Sequence, residues 1–132
     1  AALDHSALLS NTTAIENTSV GYASLYSNTT GANNVAVGST TLYNNSTGAS
    51  NTAVGKSALA ANTTADGNTA VGYQAGYSNT TGTENVFVGD SAGKTSTTAN
   101  GIVAIGRKCQ CFRLVRFCSD TLGGNNFSGP TS

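Results

Sequence analysis

The chain has 132 residues and a formal net charge of zero, with only 9% of its residues charged. That balance excludes the basic footprint of a nucleic-acid binder and the polybasic patch of a membrane-surface protein. No apolar run approaches the length needed to span a bilayer, so neither a nucleic-acid partner nor membrane insertion is expected.

Taken in order, the chain opens inside a repeat unit, which fits either a mature product or a fragment. Leu3 holds the apolar position of this partial unit, followed by Asp4, His5 and Ser6. From Asn17 one pattern is rewritten again and again. Its landmark glycines are Gly21, Gly38, Gly55, Gly72, Gly89 and Gly106, each 17 residues after the last. A fixed period of this length signals stacked, quasi-one-dimensional units. Gly, Asn, Ser and Thr abundance also suits disorder, but a disordered chain has no reason to hold Val and Gly in register.

Each unit begins with a short β-branched run that ends at the landmark glycine, the mark of a strand stopped by a turn. Val20, Val37, Val54, Val71, Val88 and Ile105 hold one column of that run without a polar exception. They are expected to face the core. Thr18, Val35, Thr52, Thr69, Val86 and Val103, two residues back, share their face. The intervening Ser19, Ala36, Ala53, Ala70, Phe87 and Ala104 are expected on the opposite, outward side.

The second half of the unit carries Leu8, Leu25, Leu42 and Leu59, then Gly76 and Gly93, where the later coils must narrow or be filled by neighbours such as Tyr77. Next come Asn11, Asn28, Asn45, Asn62 and Asn79, with Ser96 in the sixth place. Asn suits a left-handed corner, and stacked Asn side chains form amide ladders. Two hydroxyl columns follow: Thr12, Thr29, Ser46, Thr63, Thr80 and Thr97, then Thr13, Thr30, Thr47, Thr64, Thr81 and Thr98.

The unit therefore reads as two short strands and two turns, too small to bury a face alone. Stacking solves this. The expected fold is all-β, a parallel β-solenoid (β-roll or β-helix) of six to seven 17-residue coils over residues 1–106. Six coils at roughly 4.7–4.9 Å make a rod of roughly 30 Å. A helical reading fails, because apolar residues do not recur at three and four.

Asn68-Thr69-Ala70-Val71-Gly72 with Asn79-Thr80-Thr81-Gly82 resembles the 17-residue repeats of phage tail-fibre-like and bacterial surface proteins. Val35-Ala36-Val37-Gly38 and Val103-Ala104-Ile105-Gly106 are similar to the core of trimeric autotransporter adhesin heads. The resemblance implies a β-roll or β-solenoid, often trimeric. The unit is longer than the usual adhesin-head repeat.

From Arg107 the pattern changes, and the stretch from Arg107 to Cys118 holds Cys109, Cys111 and Cys118. Residues 107–132 read either as a non-repeat C-terminal cap, which solenoids need at an open edge, or as an interrupted repeat with an irregular tail. The cysteines lack the paired spacing of a zinc site; one disulfide with a free thiol, or three thiols, fits better. His5, flanked by Asp4 and Ser6, cannot form a triad from adjacent residues. Gly89 to Thr95 superficially matches a phosphate-binding loop, but its glycines are four apart rather than five. The Asn-x-Thr sequons at Asn11, Asn28, Asn62 and Asn79 are generated by the repeat itself. No catalytic residue, cofactor or metal is expected.

The hydroxyl columns remain. Thr favours strands and can be solenoid text alone. In an extended segment adjacent columns point to opposite faces, so one lines the interior or a corner and the other is displayed. A flat grid of methyl and hydroxyl groups can order a layer of water. The leading expectation is accordingly an extracellular, secreted or surface-displayed ice-binding (antifreeze) protein with ice or another ordered surface as partner. The alternative is a head or shaft segment of a fibrous adhesin or phage tail fibre, a homotrimer meeting a cell-surface receptor. Ala36, Ala53, Ala70 and Phe87 would then form the trimer face.

Overall fold

The computed structural model describes residues 1–110 and a short strand at Arg116–Phe117. Cys111, Cys118 and the tail from Gly123 lie outside the described residues. Among the described residues eight strands form one sheet: β1 (Ala2–Leu3), β2 (Thr18–Val20), β3 (Val35–Val37), β4 (Thr52–Val54), β5 (Thr69–Val71), β6 (Val86–Val88), β7 (Val103–Ile105) and β8 (Arg116–Phe117). Each pairs in parallel with the next in sequence. From β1 to β7 the register steps by one repeat, so that Ala36 lies against Ala53 and Val37 against Val54. This is the parallel β-solenoid read from the 17-residue period. At its end β8 pairs along β7, with Ala104 opposite Arg116.

The glycine that stops each strand does so for two reasons. Gly55 has φ +125°, a conformation that L-residues avoid, and a Cβ there would lie 2.6 Å from the carbonyl oxygen of Gly72. Backbones of successive coils touch at this corner, and only glycine fits.

The expected sidedness of the strands is reversed. The middle column, Ser19, Ala36, Ala53, Ala70, Phe87 and Ala104, is fully buried. The Val column faces outward, with Val54 at 37% and Val71 at 39% exposure. The physical reason is width. A 17-residue coil encloses a thin interior already occupied by Leu25, Leu42 and Leu59 from the opposite wall. Only small side chains from the strand fit across from them, so the bulky β-branched residues are turned out. Ala36, Ala53, Ala70 and Phe87 are therefore unavailable as a trimer face.

The second half of the coil is not a strand. It runs as consecutive turns, joined to the next coil by backbone bonds such as Leu25 N–H to Thr41 O (3.0 Å) and Ser27 N–H to Tyr43 O (3.1 Å). In this half the Asn28, Asn45, Asn62 and Asn79 column is not left-handed. Left-handed residues include Leu25, Leu42 and Leu59, at φ 49–50°, and Ala23, Thr40 and Ser57 two residues before them in the chain, with Gln74 next in that column. A left-handed Leu is strained by roughly 1–2 kcal/mol, which complete burial of its side chain offsets.

Where this column becomes Gly76 and Gly93, the space is filled by Phe87 and not by Tyr77, which is 38% exposed. A Cβ on Gly76 would lie 2.6 Å from the Phe87 ring, and one on Gly93 2.1 Å from it. One large ring from the strand wall replaces two leucines from the turn wall. The core continues past Gly106 to Cys109, which is buried and disulfide-bonded.

Candidate functional surfaces

Two asparagine columns hold the turn wall together. In the first, Asn28, Asn45, Asn62 and Asn79 each donate from Nδ2 to the Oδ1 of the residue one coil earlier, at 3.2, 2.9, 2.8 and 3.1 Å. The same nitrogens donate to the carbonyl three residues on, as Asn45 does to Gly48 O at 2.9 Å. The expected amide ladder is present. It ends at Asn79, because its next rung is Ser96. The buried Asn79 Oδ1 and Ser96 Oγ consequently have no hydrogen-bond partner among the described residues. Asn28, Asn62 and Asn79 are wholly buried, so their sequons are internal structure in the folded chain.

The second column is the opening Asn of each unit. Asn34 Oδ1 accepts the Asn51 N–H at 2.9 Å, while its Nδ2 donates to Gly48 O at 2.8 Å. This clamp recurs at Asn17, Asn51, Asn68 and Asn85, with the last receiving Ile102 N–H.

The two hydroxyl columns separate. Thr12, Thr29, Ser46, Thr63 and Thr80 each donate their hydroxyl to the backbone carbonyl of the matching residue in the next coil, at 3.0–3.2 Å. Thr29, Ser46, Thr63 and Thr80 are half-buried, while Thr12 and Thr97 are exposed. Thr13, Thr30, Thr47, Thr64, Thr81 and Thr98 are all exposed. Neither column enters the core, because the segment is bent and its residues do not alternate in and out.

The surface that sequence reading missed is the strand face. Two columns lie side by side on it: Thr18, Val35, Thr52, Thr69, Val86 and Val103, and Val20, Val37, Val54, Val71, Val88 and Ile105. It carries no charge across six coils. Glu16 and Glu84 flank it before the strands, and Tyr22, Lys56, Tyr73, Asp90 and Arg107 flank it after them. Arg107 Nε and Asp90 Oδ2 form an exposed ion pair at 3.4 Å. The available signal was the exchange of Phe87 for Gly76 and Gly93, which makes volume sense only if the Ala and Leu columns share one interior.

His5 is exposed and its ring stacks on Tyr22 at 6.2 Å. Its backbone N–H donates to the Asp4 carboxylate at 2.6 Å. Among the described residues no three His, Cys, Asp or Glu side chains gather as a metal site, and no helix is long and apolar enough to cross a membrane. Comparison with family models, with curated proteins and with solved structures returned no match.

Proposed function

We propose that the chain is a non-enzymatic rod segment of an extracellular fibrous protein, of the tail-fibre or adhesin-head kind, that assembles with further copies of itself through the strand face. The supporting observation is the continuous outward Val and Thr surface on β2 to β7. Large exposed apolar patches with polar rims mark interaction surfaces. A second copy suits this one, because its rungs repeat at the same spacing in every chain. The rims also differ in character. Glutamates precede the strands, whereas Lys56 and Arg107 follow them, with Asp90 alongside. Copies arranged cyclically bring the leading rim of one against the trailing rim of the next. The resemblance to adhesin heads makes three copies the expected number.

The test is mass in solution by light scattering, on the parent and on the double variant Val54→Asp, Val71→Asp. The parent should be a trimer and the variant a folded monomer. A parent that stays monomeric at high concentration overturns the proposal.

One observation favours ice binding as the second reading, namely the unbroken exposed column from Thr13 to Thr98. The first hydroxyl column is committed to coil-to-coil bonds, so an ice-binding array would rest on the second. The bulky Tyr22, Lys56 and Tyr73 beside the strand face suit a protein interface better than a flat lattice match. Thermal hysteresis by the parent, abolished in Thr64→Tyr, would favour this reading.

A further inference from the structure

One column of the turn wall reads Leu9, Tyr26, Tyr43, Ala60, Tyr77 and Lys94. Tyr26 and Tyr43 stack with ring centroids 5.1 Å apart and planes within 9°. The ladder then skips a rung at Ala60. At that place the surface holds a cleft of about 250 Å³ lined by Thr40, Tyr43, Asn44, Ser57, Ala60, Ala61 and Tyr77. None of these residues belongs to the strand face.

We infer that this missing rung is a binding site for one neutral pyranose ring, held between Tyr43 and Tyr77. Three features carry the assignment. The first is width. Two coil spacings separate the rungs of Tyr43 and Tyr77, about 10 Å. After the thickness of the two aromatic rings, the opening is wider than one flat ring needs. A puckered pyranose, with axial hydrogens on both faces, fills more of it. Those C–H bonds carry partial positive charge and suit the electron-rich faces of tyrosine.

The second is the polar lining. Thr40 Oγ1 donates to Ser39 O at 2.7 Å, and Ser57 Oγ lies 2.8 Å from Thr40 Oγ1. With the Thr40 hydrogen committed, Ser57 donates to Thr40 and keeps lone pairs for a ligand hydroxyl. Asn44 is exposed and offers an amide with both donor and acceptor groups. Among the described residues no charged side chain lines the cleft, so a neutral sugar fits better than an acidic one. The third is size. Pockets for drug-sized ligands begin near roughly 300 Å³, and this smaller cleft of about 250 Å³ suits a single ring. Tyr26 backs Tyr43, so that wall is set before the ligand arrives, which lowers the ordering cost of binding.

The experiment is a ligand-observed and protein-observed NMR titration of the full chain. Its probes are methyl α-D-glucopyranoside, methyl α-D-mannopyranoside and methyl β-D-galactopyranoside, with p-cresol as the aromatic comparator. At least one pyranoside should saturate with weak affinity and shift resonances of Tyr43, Ala60 and Tyr77. Ala60→Tyr restores the rung and should weaken that binding at least tenfold. Tyr77→Ala, at an exposed position, should do the same without depending on how the larger side chain packs. Saturation by none of the pyranosides, equal binding in both variants, or saturation by p-cresol alone would overturn the assignment. A trimer that binds no pyranoside would leave the fibre proposal standing and this one rejected.

Discussion

The strand segment and the Thr-rich segment of each coil both stack through backbone bonds, but only the second adds side-chain bonds from coil to coil. On the strand side, coils are joined by backbone bonds alone, and side chains divide into a small inner column and two bulky outer ones. On the Thr-rich side, side chains add to backbone bonds such as Thr29 N–H to Ser46 O (2.9 Å): the Asn28 series, the Asn34 series and the Thr29 series all bond from coil to coil. A residue type repeated in every unit can thus be a display on one wall and a fastener on the other. The hydroxyls that look most like a functional array in sequence are half committed to the frame. The valines that look like core are the open surface.

The sharpest test of the inner column is Phe87. Phe87→Ala should cost about 3–5 kcal/mol, the usual range for removing a buried ring, measured by denaturant unfolding. Adding Gly76→Leu and Gly93→Leu should recover part of that loss. Failure to recover any would break the account of one ring replacing two leucines.

On the fastener side, Asn62→Ala removes donors to Asn45 Oδ1 and Ala65 O and the acceptor used by Asn79. Buried groups left unpaired cost roughly 1–3 kcal/mol each, so a total of about 3 kcal/mol is expected. Chemical denaturation at equal protein concentration checks it. In the opposite direction, Ser96→Asn should extend the ladder and give Asn79 Oδ1 a donor. A gain of about 1 kcal/mol, the net worth of one such bond, should appear as a higher denaturation midpoint.

The smallest effects separate the two hydroxyl columns. Thr63→Ala should cost about 1 kcal/mol through loss of its bond to Thr80 O. Thr64→Ala should stay within about 0.5 kcal/mol, as exposed substitutions do. Equal costs in both would erase the distinction between fastener and display.

Period alone determined the architecture. Glycines every 17 residues, a β-branched run before each and an Asn in every corner but the one at Ser96 leave a stacked parallel solenoid as the one way to bury so little apolar surface per unit. The Asn ladder was also legible, because identical amides one coil apart must meet. Sidedness was not. A three-residue strand offers one residue to one face and two to the other, and hydrophobicity favours turning Val inward. Only the closed coil shows that the interior is too thin for valine opposite leucine. The left-handed leucines and the gap at Ala60 were hidden for a related reason. Each depends on what the opposite wall or the neighbouring rung supplies, and that is decided when the coils close and stack.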